Sequence, residues 1–309
     1  MRNGCARVKI SVIIPTFNNE DTLGATVRSV LAQDHGDLEA VVVNDGGRSP
    51  SGFLDISDPR LRVIDLPSNG GVSRARNRGF HETSGELVLF LDSDDVVAPD
   101  LLSFAARVLS DPAIAVLAVG HETVEDDVIR DKGLVLPTHR SEGLRTLSAR
   151  DSFDLMRRRP SALLPSGMVF RRRVVADAAG PEPFHTGLKI AQDTLMILLV
   201  AWKNEIRLSD DKYFIYRVRP DSLSRNERRT LLERIEVMDI CAATIRQAGG
   251  DPALVDLARR MRQNSARRVA RLLRQDGDRH GARRILAADL RHRFNWKSAV
   301  EYAATLARR

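Results

Sequence analysis

Cysteine, aromatic side chains and long apolar runs are all scarce in this 309-residue sequence. Cysteine occurs only at Cys5 and Cys241, and aromatics make up 5% of the chain. Two cysteines exclude a disulfide framework and fit a reducing compartment. The longest apolar stretch, residues 195–202, is far shorter than the roughly 18 residues that a transmembrane helix needs. The first ten residues, MRNGCARVKI, lack the apolar region of a signal peptide, so we expect a cytoplasmic location.

Motifs for several common cofactors and nucleophiles are also missing. A dinucleotide site needs GxGxxG after the first strand, but that position holds PTFNNED (residues 15–21), which has a bulky Phe17 and no glycine. GxxxxGK[ST] is absent, which excludes a P-loop. The seven histidines show no zinc-ligand spacing, and no GxSxG elbow occurs. Any bound diphosphate must therefore be neutralised in another way.

Positive charge is concentrated at the C-terminal end. The whole chain carries a net charge of +7, with +9 from Asp221 onward and −2 in the preceding 220 residues. From about Asn226 the spacing of apolar residues predicts helices with one arginine-rich face. These helices could pack or oligomerise, or could lie peripherally on an anionic membrane. Nucleic acid is not an expected partner, because the aromatics of this segment, Phe294, Trp296 and Tyr302, all lie close to its end.

The first half of the sequence alternates apolar strands with amphipathic helices. Runs such as KISVIIP, LEAVVV and ELVLFL read as buried strands, each followed by helical spacing or a turn. This alternation predicts an α/β fold with a mostly parallel sheet and flanking helices. We interpret ETVEDD (residues 122–127) as a solvated hairpin after an edge-like strand. Residues 221–229, polar and without pattern, mark the expected boundary before the helical tail.

Polar clusters follow three of the predicted strands at their carboxyl ends. They are PTFNNED, NDGG (residues 44–47) and DSDD (residues 92–95). Ligands of open parallel sheets sit at this edge, so we expect one shared pocket. Carboxylates packed as closely as those of DSDD repel one another unless a cation or strong donors hold them. Two carboxylates one residue apart suit Mg²⁺ or Mn²⁺, ions that also bind phosphate oxygens.

In their order and spacing, PTFNN, NDGG, SNGGVSRARNRG and FLDSDD resemble the inverting glycosyltransferases of family 2, which have the GT-A fold. The resemblance is specific over about residues 10–100 and looser as far as Ser224. It implies a nucleotide-sugar-binding half at residues 1–120 and an acceptor-binding, catalytic half at residues 121–224. A helical basic segment at residues 225–309 completes the expected domain organisation.

The resemblance also assigns roles to individual residues. Asp45 is expected to accept a hydrogen bond from the base, uracil in most relatives, and Asp94 to bind the Mn²⁺ or Mg²⁺ ion. Asp92 is expected to hold the ribose or the donor sugar. The nucleotide-sugar contacts implied by the same motifs are Pro15, Thr16, Phe17, Asn19, Asn69, Arg76 and Ser93. At Asn19 the sequence departs from the family pattern, which usually has a glutamate there, and Glu20 follows one place later.

Inverting transfer needs a base for the acceptor hydroxyl, and the resemblance places it at Asp193. The family often has Glu-Asp there, whereas this chain has Gln192 before Asp193. The alternative is that Asp193 is only the N-cap of the helix that follows. Further along, YRVRPDSLS offers Arg217, Arg219, Ser222 and Ser224, either as phosphate contacts or as a solvated basic strand end.

Taken together, the motifs and the resemblance they carry imply a metal-dependent transfer of a sugar, hexosyl or N-acetylhexosaminyl, from a UDP-linked donor to a hydroxyl with inversion. The acceptor is a glycan, a lipid-linked molecule or a small molecule. Two alternatives stay open. One is a sugar-phosphate nucleotidylyltransferase, although that class is expected to begin with a Gly-rich basic loop. The other is a protein that binds nucleotide sugars without catalysis.

Overall fold

The computed structural model describes residues 8–126, 143–219, 226–292 and 294–306. The chain divides into two compact units, residues 1–220 and residues 221–309. The first unit contains a sheet with helices on both faces, and the second is helical. Within the described residues, no helix combines the length and the apolar character needed to cross a membrane.

The strands of the first unit all belong to one sheet. In chain order they are β1 (Ile10–Thr16), β2 (Leu38–Asn44), β3 (Leu61–Asp65), β4 (Leu87–Phe90), β5 (Val96–Val97), β6 (Val116–Glu125), β7 (Arg145–Leu147), β8 (Met168–Arg171) and β9 (Ile206–Val218). Their spatial order is β3-β2-β1-β4-β8-β6-β9-β5, and β7 also pairs with β9.

Helices cover this sheet and form the second unit. In the first unit they are α1 (Glu20–Leu31), α2 (Val72–Glu82), α3 (Leu101–Val108), α4 (Ala149–Arg158), α5 (Arg172–Ala179) and α6 (Gln192–Lys203). In the second unit they are α7 (Glu227–Gln247), α8 (Pro252–Gln275), α9 (Arg279–His292) and α10 (Trp296–Leu306). Short 3₁₀ turns also occur at Pro50–Gly52 and Pro165–Gly167.

The sheet is parallel in its first part and mixed in its second. Strands β3, β2, β1 and β4 run parallel, as the continuous apolar runs predict. Beyond β4, β8 pairs antiparallel with both β4 and β6, whereas β6 and β9 are parallel. The change of direction occurs at β8, a segment for which the sequence pattern predicted neither a strand nor a helix. The predicted α/β class is therefore confirmed, with a mixed sheet.

Both faces of the parallel part are buried, because alternate side chains of each strand meet different helices. Val12 and Ile14 pack in one cluster with Leu23 of α1. Val41 of β2 packs on the other face in a cluster with Ala75 of α2. Helix α2 approaches β1 so closely that a Cβ at its Gly79 would lie 2.3 Å from Ile13 Cγ2. Only glycine allows this close approach, which fixes the position of α2 over the sheet.

The interpretation of ETVEDD as a hairpin beside an edge strand is wrong over its described residues. Residues 122–125 belong to β6, and β6 lies between β8 and β9 in the sheet. The acidic side chains here are half-buried or exposed, and Glu122 pairs with Lys212 of β9. A long strand can leave the core at one end and carry charged residues there while its pairing continues.

Ion pairs of the buried Arg262 connect the helices of the second unit. Arg262 on α8 binds Asp239 on α7 at 2.8 Å and Asp289 on α9 at 2.7 Å. Asp289 is fully buried and also accepts a hydrogen bond from Ser298 on α10. The helical C-terminal segment expected from the arginine-rich pattern is confirmed. Part of the positive charge of this segment is paired with carboxylates inside the unit.

Candidate active site

The register of the parallel strands brings the three predicted polar clusters to one edge of the sheet. Thr16 is aligned with Asn44 at the ends of β1 and β2, and the Asp45 N–H donates to the Thr16 carbonyl at 2.9 Å. On the other side of β1, the Leu91 N–H donates to the Ile13 carbonyl at 2.9 Å. The segment that contains Asp92 therefore leaves the sheet beside the end of β1.

The loop after β1 is built around its asparagines. Pro15 and Thr16 are buried at the end of the strand, whereas the Phe17 side chain is 43% exposed. Asn18 adopts a left-handed conformation, with φ 51°, and its Oδ1 accepts a hydrogen bond from the Arg48 N–H. Asparagine tolerates this conformation better than most residues. The turn leaves the Phe17 ring open to solvent.

Asn19 connects the loop after β1 to two other segments. Its Nδ2 donates to Ser93 Oγ at 2.6 Å, and its Oδ1 accepts from Arg219 Nη1 at 3.0 Å. Ser93 is 4% exposed. The amide group supplies both a donor and an acceptor here, which a glutamate carboxylate does not. The asparagine that stands here in place of the family's usual glutamate is therefore bonded to two other side chains.

Asp45 at the end of β2 holds the loop that precedes α2. Its Oδ1 accepts the Gly70 N–H at 2.9 Å and its Oδ2 accepts the Gly71 N–H at 2.7 Å, and the residue is 3% exposed. Gly46 has φ +75°, and a Cβ there would lie 2.4 Å from the Ser68 backbone. Asn69 lies in this loop and is exposed. The NDGG and SNGG motifs, both expected to contact the nucleotide, are thus in direct contact.

Arg76 is buried in α2 and bridges two separate segments. Its Nη2 forms an ion pair with Asp92 Oδ1, and its Nη1 donates to Gln192 Oε1 at 2.7 Å. The guanidinium also lies over the Phe184 ring, 5.1 Å from its centroid. The arginine is 2% exposed. It therefore ties the end of β4 to the start of α6, segments about a hundred residues apart in the sequence.

The aspartates of DSDD lie in a gradient of burial. The Asp92 side chain is 35% exposed, Asp94 is half-buried and Asp95 is 1% exposed. Burial, followed by the charge of Asp92, raises the pKa of Asp94 to about 6. Burial, followed by the charges of Asp94 and Asp92, raises the pKa of Asp95 well above its ordinary value. This cluster therefore favours binding a proton or a cation.

Arg217 of β9 and Arg219, two residues further on, lie beside the aspartate cluster, and the charge of each lowers the pKa of Asp94. The Arg217 N–H donates to Asp95 Oδ1 at 3.1 Å, and its Nε donates to the Asp94 carbonyl at 3.0 Å. Arg217 is 7% exposed, so the alternative of a solvated strand end is wrong for this residue. Ser222 and Ser224, the other candidates of this segment, lie outside the described residues.

Asp193 is the second residue of α6, and its charge is also poorly solvated. Burial, partly offset by the nearby charge of Arg76, raises the pKa of Asp193. Its Oδ1 accepts the Thr194 N–H at 2.6 Å. The N-cap of α6 is Ala191, so the alternative that Asp193 is the helix cap is wrong. A carboxylate with a raised pKa is suited to accept a proton near neutral pH.

Sequence reasoning gave no site role to Asp95 and noted Gln192 only as a departure from the family. The third acid of DSDD was the available signal for Asp95. Nothing in the sequence indicated that Gln192 would be 4% exposed and bonded to an arginine of α2. Such a contact depends on how the middle of the chain folds over the first half.

The donor atoms at the end of β4 fit a hard divalent cation that shares its ligands with a substrate. Over the described parts of the chain, no group of three or more His, Cys, Asp or Glu side chains is arranged to hold a metal ion. Mg²⁺ is commonly bound by one or two carboxylates together with substrate phosphates and water. The half-buried Asp94 carboxylate, with its raised pKa, matches such a partial ligand set.

Comparison with known proteins decides the family. The model of the family described as "Glycosyl transferase family 2" matches residues 11–175, just over half of the chain. The chain belongs to glycosyl transferase family 2. The match covers strands β1 to β8, together with the NDGG and DSDD motifs. The resemblance inferred from the motifs is thereby confirmed.

Relatives of this family-2 chain include bacterial proteins of polysaccharide synthesis. It is 28% identical over 244 residues to the succinoglycan biosynthesis protein ExoO of Rhizobium meliloti, a match that covers 74% of this chain and 65% of ExoO. It is 34% identical over 124 residues to an N-acetylglucosaminyltransferase of Sinorhizobium fredii, covering 38% of this chain and 30% of the relative. The chain thus spans a third to two thirds of the length of these relatives.

Solved structures share the fold. S. aureus TarS 1-349 in complex with UDP-GlcNAc aligns with a TM-score of 0.63 and 22% identity, covering 96% of this chain and 79% of TarS. The mannosyltransferase PcManGT of Pyrobaculum calidifontis, in complex with GDP-Man and Mn²⁺, aligns with a TM-score of 0.61 and 18% identity, with the same two coverages. At these identities the likeness confirms the GT-A-like fold alone.

Proposed function

We propose that this protein transfers a sugar from a UDP-linked donor to an acceptor hydroxyl, with inversion and with the help of Mn²⁺ or Mg²⁺. The observation that carries the proposal is the position of Arg76. One buried guanidinium binds Asp92 of the predicted donor site and Gln192, the neighbour of the predicted base Asp193. The donor and acceptor halves inferred from the sequence, residues 1–120 and 121–224, thus meet around one side chain.

In this mechanism Asp193 removes the proton of the acceptor hydroxyl. The oxygen then attacks the anomeric carbon from the face opposite the leaving diphosphate, which inverts the configuration. The raised pKa of Asp193 supports this role, because a base works best when its pKa lies close to the working pH. The positive charge of Arg76 lowers the pKa of Asp193 and thereby limits the rise that burial causes.

The donor nucleotide is proposed to bind along the ends of β1 and β2. Phe17 is exposed there and offers a ring to the base. Each carboxylate oxygen of Asp45 accepts one backbone amide, which leaves capacity for a further N–H such as that of uracil. Pro15, Thr16 and Asn69 border the same loops. Asn19 and Ser93 hold these loops against the aspartate cluster.

The metal is proposed to bind at Asp94. When bound, the cation offsets the negative charge that develops on the departing diphosphate. Asp92, fixed by Arg76, remains available to the ribose or the donor sugar through its exposed oxygen. Arg219, which contacts Asn19 on the same side, adds positive charge close to the aspartates.

A donor of the UDP-N-acetylhexosamine class is the first to test. The support comes from the named N-acetylglucosaminyltransferase relative and from the UDP-GlcNAc complex of TarS. The GDP-Man complex of PcManGT makes GDP-linked sugars the matched comparison. The acceptor is proposed to be a glycan, a lipid-linked molecule or a small molecule with a free hydroxyl.

Ligand-induced stabilisation of the full chain tests the donor and the metal together. UDP and UDP-N-acetylglucosamine with Mn²⁺ should raise the melting temperature, GDP should do so less, and either component alone should have a smaller effect. An unchanged melting temperature at saturating UDP and Mn²⁺ contradicts the proposal. Binding of UDP-sugars without turnover on any acceptor favours the non-catalytic alternative.

A further inference from the structure

The last helix of the second unit, α10, buries two polar side chains and exposes several apolar ones. Ser298 and Thr305 are 0% exposed, whereas Trp296 is 66% and Val300 59% exposed. Trp296 and Val300 are four residues apart and therefore share one face of the helix. This is the reverse of an ordinary surface helix, whose apolar stripe faces the core.

Hydrogen bonds explain why the inner face is polar. Ser298 Oγ donates to the buried Asp289 at 2.7 Å, and Arg283 Nη2 donates to the Thr305 carbonyl at 2.8 Å. Glu301, 16% exposed, accepts from Arg271 at 2.7 Å and from Arg274 at 3.0 Å. The helix is thus attached to its unit through these polar groups and through Tyr302, which packs against the cluster of Ala270, Ala282 and Leu286. Trp296, Val300 and Leu306 take no part in this packing and stay exposed.

Four apolar side chains on this helix and just before it are exposed, and together we call them the terminal patch. Phe294 precedes the helix and is 74% exposed, and Leu306 at the other end is 53% exposed. The terminal patch consists of Phe294, Trp296, Val300 and Leu306. Isolated exposed apolar residues are ordinary, but four of them between Phe294 and Leu306, two of them aromatic, mark an interaction surface.

Basic side chains lie close to the terminal patch. Lys297 Nζ lies 5.7 Å from the centre of the Trp296 ring, and the Arg271 side chain is 56% exposed. Arg267 Nη1 donates to Asn295 Oδ1, at the start of the helix, at 3.3 Å. The carboxylate on this helix, Glu301, is already bonded by two arginines. The apolar surface therefore has a rim of net positive charge.

This combination selects an anionic lipid surface over a second copy of the chain. Aromatic and aliphatic side chains enter the boundary between headgroups and acyl chains, while lysine and arginine stay at the phosphates. Two copies meeting at this face would bring like charges together, which is unfavourable. Four side chains are also few for a stable dimer, whose interface buries roughly 1,200–2,000 Å².

We propose that the terminal patch docks the protein on anionic membranes. The inference concerns the second unit alone and does not depend on the reaction proposed for the first. Association requires both the apolar side chains and negatively charged lipid, and it weakens as salt screens the basic rim.

Tryptophan fluorescence and vesicle sedimentation of the full-length protein test the proposal. The chain has two tryptophans, so Trp202→Phe leaves Trp296 as the only reporter. With vesicles of phosphatidylglycerol and phosphatidylcholine, Trp296 emission should shift to shorter wavelength, and brominated lipids should quench it. Pure phosphatidylcholine vesicles should give a much smaller shift.

Matched variants separate docking from folding. Phe294→Ser with Trp296→Ser should weaken binding to anionic vesicles at least about tenfold. Leu232→Ser, at a leucine of α7 that is 41% exposed, should leave binding unchanged. Because the replaced side chains are exposed, both variants should melt close to the wild type.

Three outcomes would overturn the proposal. They are equal binding to neutral and anionic vesicles, the absence of any Trp296 shift, and equal loss of binding in the Leu232→Ser variant. A concentration-dependent dimer that disappears in the Phe294→Ser, Trp296→Ser variant would instead assign the terminal patch to a second copy of the chain.

Discussion

Near the amino ends of β1 and β4, the buried Arg171 is held by hydrogen bonds on every guanidinium nitrogen. It donates to three backbone carbonyls and to Glu86. At the carboxyl ends, Asp94 and Asp95 instead have raised pKa values because burial is incompletely compensated.

This difference distinguishes a charge that stabilises the fold from the charges that we propose to bind a ligand. A buried charge whose donors are all used stabilises the fold and has no capacity for a ligand. A buried carboxylate whose charge is not offset costs stability in the free protein and gains a partner when a cation binds. We therefore expect opposite changes in the free energy of unfolding when a charged residue is replaced by a neutral one at the two ends of the sheet.

The largest expected effect is at the proposed base. Asp193→Asn should lower the turnover rate by about 10²–10⁴, because general base catalysis is lost while the side chain keeps its shape. UDP and Mn²⁺ binding, measured by calorimetry, should change less than about twofold, since Asp193 is not assigned to the donor. Asp177→Asn, on the exposed side of α5, is the control and should transfer normally. Transfer at the wild-type rate in Asp193→Asn would exclude the role as base.

At the amino end, Arg171→Met should destabilise the protein by about 3 kcal/mol, because buried carbonyl groups lose their donor. Urea unfolding of the wild type and of this variant measures the difference in the free energy of unfolding. Arg173→Met, at an exposed neighbour, should change the free energy of unfolding by less than about 0.5 kcal/mol. Equal effects of the two substitutions would contradict the structural role of Arg171.

At the carboxyl end, Asp94→Asn should have the opposite sign and stabilise the metal-free protein by about 1–2 kcal/mol near pH 7. The pKa of Asp94 is raised from 3.8 to about 6, so the protonated folded form is favoured. The corresponding stability is present at low pH and is lost as the pH rises from about 4 through about 6. The Asp94→Asn variant should not lose stability over this pH range.

Unfolding measured between pH 4 and 8 without metal gives the comparison for Asp94. The same variant should no longer be stabilised by Mn²⁺ together with UDP. Asp55→Asn, at an exposed aspartate of the same unit, should behave as the wild type in both measurements. A destabilised Asp94→Asn variant at pH 7 would mean that the carboxylate is already compensated without a cation.

The smallest expected effect is a shift in the pH dependence of transfer. Gln192→Glu adds a carboxylate beside Asp193 and competes for Arg76, so the pKa of Asp193 should rise and the acidic limb of the pH–rate profile should move to higher pH. Gln192→Met removes the hydrogen bond without adding charge and should not raise that limb. Equal displacement of the limb by both variants would assign the effect to geometry.

Local patterns were sufficient to predict where the polar clusters lie. Strand ends follow from apolar runs, and parallel strands place those ends on one edge, so the positions of Asp45 and Asp94 could be inferred. The helix that carries Asp193 was predicted in the same way from its apolar residues. Family membership followed from the motifs, because four of them agree in order and spacing.

Contacts that depend on the path of the middle segment could not be predicted. Arg217 is buried because β9 pairs with both β5 and β6, an arrangement that no local pattern encodes. Likewise, the amides of Gly70 and Gly71 reach Asp45 only because their loop crosses the end of β2. The base-binding role expected for Asp45 and the nucleotide contact expected for Arg76 remain predictions.

The shared guanidinium of Arg76 has a practical consequence for altering specificity. A substitution that repositions Asp92 for a new donor also changes the group that holds Gln192, and the reverse is true for acceptor variants. Effects on the two substrates should therefore be non-additive, and mutant libraries that vary the two pockets separately should miss the useful combinations. Directed evolution of this scaffold should randomise both segments in the same gene.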